Sequence, residues 1–164
     1  MHAAARDWVQ RCLVELGDAP GIVVEFGSLD VNGSIRDLFC GTDYTGIDLL
    51  AGPGVDEVCD AAEYEHPVPV DLVLCCETLE HSPYAGKIVA NAARLLRPGG
   101  WLILTTAGPR RLPHSADGGD KGPHEGEWYA NISGYQLDDW LREAGFRRWQ
   151  TDETYDDVRA LAVR

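Results

Sequence analysis

The chain has 164 residues, 45% hydrophobic and 25% charged, with a formal net charge of −13. That length and balance suit one globular domain with a sizeable core, spanning residues 1–164. The strong acidity makes a nucleic-acid partner unexpected, because gripping phosphates needs a basic surface. No run is apolar for long enough to cross a bilayer. The first residues, Met1 to Asp7, carry an early acid and no apolar stretch, so no secretory leader, no membrane partner and a cytoplasmic location are expected.

Residues 3–16 read as an amphipathic helix with Trp8, Val9, Cys12, Leu13 and Leu16 on one face, closed by Gly17. Residues 22–26 form an apolar first strand, as in a sheet covered on both faces. Glu25-Phe26-Gly27-Ser28-Leu29-Asp30-Val31-Asn32-Gly33 then makes a glycine turn into a short helix at 34–39. Such a turn lets backbone N–H groups and a helix N-terminus approach a ligand. Residues 44–48 form a second strand ending in Asp48, and residues 55–59 a third just before Asp60. A fourth strand, 71–75, leads into Glu77-Thr78-Leu79-Glu80-His81. Ser82 is the expected N-cap of the next helix, with Pro83 at the first helical position. That helix buries Ile88, Val89, Ala92, Leu95 and Leu96 and stops before Pro98-Gly99-Gly100.

Residues 101–106 form a fifth strand. Residues 107–132 lack periodicity and are expected to form a lid loop. A helix from Ser133 or Gly134 to Ala144 places Leu137, Trp140 and Leu141 inward, and strands at 146–150 and 158–163 close the chain as a hairpin. The five cysteines (Cys12, Cys40, Cys59, Cys75, Cys76) are odd in number and lack metal-type spacing, which suits buried thiols. Arg110-Arg111 and Arg147-Arg148 could hold one phosphate or carboxylate, but most such clusters are solvated surface charge.

The alternation of strands and helices predicts a single doubly wound, mostly parallel α/β sheet with a C-terminal antiparallel hairpin and helices on both faces. Ligands in such sheets bind beyond the carboxyl ends of the strands. Asp48 could accept from a diol there and Asp60 from an exocyclic amine. Gly27 would allow close backbone approach. A nicotinamide dinucleotide also uses a ribose acid, but Leu29 stands where its pyrophosphate cradle needs a second glycine.

Five segments, taken in order, resemble class I S-adenosylmethionine (SAM)-dependent methyltransferases of the small bacterial, methyltransferase domain 11-like type. They are Val23-Val24-Glu25-Phe26-Gly27, Gly46-Ile47-Asp48, Cys59-Asp60-Ala61, Asp71-Leu72-Val73-Leu74 with Glu80-His81, and Leu95 through Leu102. The resemblance implies a Rossmann-like sheet and a SAM site formed by Glu25, Gly27, Ser28, Asp48, Leu49, Asp60, Ala61 and Glu77. It further implies methyl transfer to a small-molecule acceptor, with a hydroxyl favoured.

Glu77-x-x-Glu80-His81 with a distant histidine also resembles metal-dependent O-methyltransferases of the ubiquinone pathway and enzymes that methylate the terminal ribose of small RNAs. By that likeness Glu77, Glu80, His81 and His124 could hold Mg²⁺, Mn²⁺ or Zn²⁺, with His114 the other loop candidate. Without a metal, His81 or His124 could serve as general base. A non-catalytic module of the same fold is the rival reading; it has no need of both cofactor acids.

Overall fold

The computed structural model describes residues 3–118, 122–154 and 156–164. Residues 119–121 of the expected lid therefore lie outside the described residues. The elements are α1 (Ala3–Leu16), β1 (Ile22–Phe26), β2 (Asp43–Asp48), β3 (Glu57–Val58), β4 (Val70–Cys76), α2 (Ala85–Leu95), β5 (Leu96–Ala107), α3 (Gly134–Glu143), β6 (Arg148–Glu153) and β7 (Asp157–Val163), with 3-10 turns at Arg36–Phe39 and Leu79–His81. The seven strands form one sheet in the order β3-β2-β1-β4-β5-β7-β6. β1 to β5 run parallel, whereas β7 pairs antiparallel with both β5 and β6. The chain leaves β1 toward β2 on one side and returns to β4 on the other, so a switch point lies at the carboxyl edge beside β1.

Side-chain alternation divides the core into two layers. Val23, Leu72, Leu74, Cys76, Ile103 and Leu161 pack against Trp8, Val9 and Cys12 of α1 and against Ile35 and Phe39. Val24, Phe26, Val73, Cys75, Leu102 and Leu104 pack on the opposite face against α2 and α3. The adjacent Cys75 and Cys76 thus face opposite layers. Cys40 is exposed and Cys59 half-buried, so not every thiol is interior as expected. Among the described residues no helix is long and apolar enough to cross a membrane.

Several boundaries differ from the sequence reading for local reasons. The third strand contracts to two residues, since only Glu57 and Val58 find partners on β2. The segment after the glycine turn closes as a 3-10 turn of four residues rather than an α-helix. Ser82 does not cap α2: the backbone first makes the Leu79–His81 turn, and Ser82 Oγ accepts from Tyr84 N at 3.1 Å, so the helix begins at Ala85. β5 starts at Leu96, and its register with β4 shifts between Val70 and Leu72. Gly100 lies so close to the carbonyls of Arg97 and Asp71 that a Cβ would crowd them. Ser133 caps α3 as expected, its side chain accepting from Gln136 N.

Candidate active site at the carboxyl edge

Asp48 ends β2 with each carboxylate oxygen against one backbone amide, Oδ2 at 3.2 Å from Leu29 N and Oδ1 at 3.1 Å from Leu50 N. These bonds hold the carboxylate at the sheet edge and leave it lone pairs for further donors. Beside it Leu49 and Leu50 expose 66% and 64% of their surface. Cys59 N donates to Asp48 O at 2.9 Å, which sets Asp60 just beyond the adjacent strand end. Asp60 Oδ1 accepts from Ala62 N at 2.8 Å, and Ala61 is buried. Asn91 of α2 secures this turn from below, its Nδ2 donating to Ala61 O and Tyr64 O at 2.8 and 3.0 Å. Asn91 stands buried within the apolar stripe of α2, and a polar residue at such a core position is the sequence signal for that support.

The β1 turn differs from expectation. Gly27 N and Ser28 N both donate to Ile47 O, Leu29 N to Asp48, Asp30 N to Pro53 O, and Gly33 N to Asp30 Oδ1. These amides knit the turn to the end of β2, to Pro53 in the β2–β3 connection and to itself instead of facing outward, and no α-helix N-terminus follows. Gly27, at φ 74°, is glycine because a Cβ would collide with Thr78, whose Oγ1 donates to Phe26 O and Cys76 O. Ser28 is buried with its Oγ unpartnered. Glu25 lies 3% exposed beneath the turn and accepts from Tyr44 Oη at 2.6 Å. Burial pushes its carboxyl up to about 7, against the opposing pull of the Tyr44 hydrogen bond and the Arg36 charge.

The β4 end is organised around two glutamates facing different ways. Glu77 adopts φ 54°, a conformation that costs a non-glycine residue energy and persists only when surroundings enforce it. Its N donates to Thr105 O, its Oε1 accepts from Thr105 Oγ1 at 2.8 Å, and its Oε2 meets Arg111 Nη1 at 2.7 Å. The same Arg111 nitrogen lies 2.8 Å from Asp157 Oδ1, and Asp157 Oδ2 meets Arg159 Nη2 at 2.8 Å. Arg111 is therefore no solvated surface charge. Burial lowers its pKa, but Glu77 and Asp157 outweigh that and the net shift is upward.

Glu80 is fully buried; its oxygens accept from Thr106 Oγ1 at 2.8 Å and Ala107 N at 3.1 Å. Burial, and then the neighbouring Glu77 charge, push its carboxyl upward. The rings of His81, His114 and Tyr129 meet edge to face, with centroids 5.0 to 5.5 Å apart. One ligand atom each from Glu80, His81 and His114 lie within 4.8 Å of one another. Burial, then His114, pull His81 down to about 4, so it is neutral at pH 7. Burial, then Glu80, push Tyr129 up to about 12.

The structure does not bring His124, the favoured loop histidine, to this cluster. Its Nε2 lies 2.8 Å from Asp117 Oδ2, both side chains 60% exposed, and His114 stands against His81 instead. The 108–132 segment folds over the edge through Ala130 N to Glu80 O, Ile132 N to Ala107 O, and Asn131 Nδ2 to Gly108 O and Arg111 O. Near its tip Gly118 abuts Asn32 of the β1 turn.

Two strand-end carboxylates thus stand beside an exposed apolar step, with a histidine–tyrosine cluster two strands along the same edge of an open α/β sheet. A methyltransferase domain model matches residues 1–151, and the chain belongs to that family. Its relatives include ubiquinone biosynthesis O-methyltransferases. The Thiobacillus denitrificans protein is 44% identical over 59 residues, 34% of this chain and 25% of the relative. The Burkholderia thailandensis protein is 33% identical over 101 residues, 57% of this chain and 43% of the relative. The aligned parts thus span less than half of those relatives' length.

Among solved structures the fold is similar to Burkholderia thailandensis 1,6-didemethyltoxoflavin-N1-methyltransferase with bound 1,6-didemethyltoxoflavin and S-adenosylhomocysteine. The TM-score is 0.72 at 20% identity, covering 99% of this chain and 78% of that one. It is also similar to the magnesium protoporphyrin IX methyltransferase of Synechocystis PCC 6803 with bound SAM, with TM-score 0.68 at 22% identity, covering 98% and 78%.

Proposed function

We propose that the chain transfers the methyl group of SAM to a hydroxyl of a small-molecule acceptor. The observation that carries this reading is the Asp48–Asp60 pair at adjacent strand ends beside exposed Leu49. The donor chemistry fits: Asp48 has lone pairs for a ribose diol, Asp60 for an adenine amine, and Leu49 offers an apolar step to a flat ring. SAM supplies a methyl on a positively charged sulfur, so the protein's work is alignment, exclusion of water and acceptance of the hydroxyl proton. Glu25 supports the turn from below, and Ala61 packs behind the adenine position. Gly27 and Ser28 shape the turn, while Glu77 with Arg111 fixes the β4 end. Neutral His81, within the His114–Tyr129 cluster, is the group that can hydrogen-bond a hydroxyl.

The oxygen preference is supported by the names of the ubiquinone-pathway relatives. The −13 charge favours a small acceptor over the RNA-terminal-ribose alternative. Calorimetry with S-adenosylhomocysteine tests the reading: Asp48→Ala should weaken binding by at least about tenfold, close to 1.4 kcal/mol. Absence of binding by the wild type would instead support the non-catalytic module.

A second reading rests on the convergence of Glu80, His81 and His114. These three, rather than the Glu77, Glu80, His81 and His124 set, would hold a divalent ion, which would act as a Lewis acid on the acceptor oxygen. Titration with Mg²⁺, Mn²⁺ and Zn²⁺ should then show binding that His114→Ala removes. Equal binding by wild type and variant rejects this site.

A further inference from the structure

We infer that the flank of α1 beside β7 carries a second binding site, for a small organic anion with a hydroxyl or ammonium group beside its carboxylate or phosphate. A shallow, open groove of about 520 Å³ lies there, lined by Ala4, Asp7, Gln10, Arg11 and Val14 of α1 and by Arg159 of β7. β7 lies four strand positions from β2, roughly 19 Å at the usual strand spacing, so this groove is separate from the Asp48–Asp60 crevice.

Arg159 is 8% exposed and its Nε–H is buried without an acceptor, although Nη2 reaches Asp157. Trp8, one helical turn from both Ala4 and Arg11, is also 8% exposed, and its indole N–H has no partner either. Among the described residues only three buried side-chain polar atoms are unpartnered, and two of them are donors on this one face. A buried donor left unpaired costs about 1 to 3 kcal/mol, so Arg159, which lines the groove, points to an acceptor that the protein itself does not supply, and Trp8 lies behind the lining residues as a second unsatisfied donor.

The groove's other charged and polar side chains define that acceptor. Arg11 and Gln10 add donors at the mouth, while Asp7 repels a bare dianion and favours a hydroxyl or ammonium next to the acid group. An anion engaging Arg159 competes with Asp157, which also holds Arg111. Arg111 in turn holds Glu77, so occupancy of the groove is felt at the β4 end.

The test is an NMR titration of the full chain with malate and with phosphoserine, following the Trp8 indole N–H and the Arg159 Nε–H. Both signals should shift along one saturable curve. Arg159→Lys, which keeps the charge but loses the fork, should bind at least about tenfold more weakly, and the exposed Arg11→Gln about threefold more weakly. Shifts that fail to saturate, or unchanged affinity in Arg11→Gln, overturn the proposal. Saturation by only one probe tells carboxylate from phosphate and upholds it.

Discussion

Glu25 shows how one buried carboxyl links stability to pH. Its folded pKa of about 7 exceeds its ordinary 4.5, so the fold favours the protonated form. Its relative contribution to stability is fully present below about pH 4.5 and is lost as pH rises to about 7. Glu25→Gln keeps an acceptor for Tyr44 without the buried charge. Chemical denaturation should find this variant more stable than wild type at pH 8, by on the order of 3 kcal/mol, with the difference closing below about pH 4.5. Sequence reading could place Glu25 at a strand end but could not show whether water reached it. The same limit explains Gly27, whose glycine serves contact with Thr78, a residue 51 positions away that no local pattern reveals.

At the scale of elements, the loop between β5 and α3 has a small internal scaffold. Glu127 accepts from Ser115 Oγ at 2.9 Å and from His124 N at 2.8 Å, joining two arms of the loop. Glu127→Ala should leave the sheet intact and raise hydrogen exchange across residues 112–118, an effect that mass spectrometry would detect. Unchanged protection would show that the loop is held by its roots at Ala130 and Ile132 alone. Helices and central strands were legible because their apolar periodicity is decided locally. The loop between β5 and α3 was not: nothing in its composition told His114 from His124, and the choice follows from which arm lies over His81. Arg111 was hidden for the same reason, since its partners Glu77 and Asp157 come from β4 and β7.

For the whole molecule, acidity is the dominant long-range term. With a net charge of −13 the native chain repels itself, and screening should relieve this. Melting temperature should therefore rise as sodium chloride is added at pH 8; a flat or falling curve would mean that local ion pairs such as Arg36–Asp56 dominate instead. The order of the elements was readable, down to the antiparallel pair that comes last. Which strand that pair would flank was not readable, because two hairpin strands can dock on a sheet edge in either order.

The answer the fold adopts puts β7 inside the sheet, between β5 and β6, with six of its seven residues buried. On a ribosome the parallel half could assemble early, but β5 must wait with one edge bare until nearly all of these residues have been translated and released from the exit tunnel. Nascent chains therefore carry a sticky, unfinished margin on β5 until β7 has emerged and slotted in beside it.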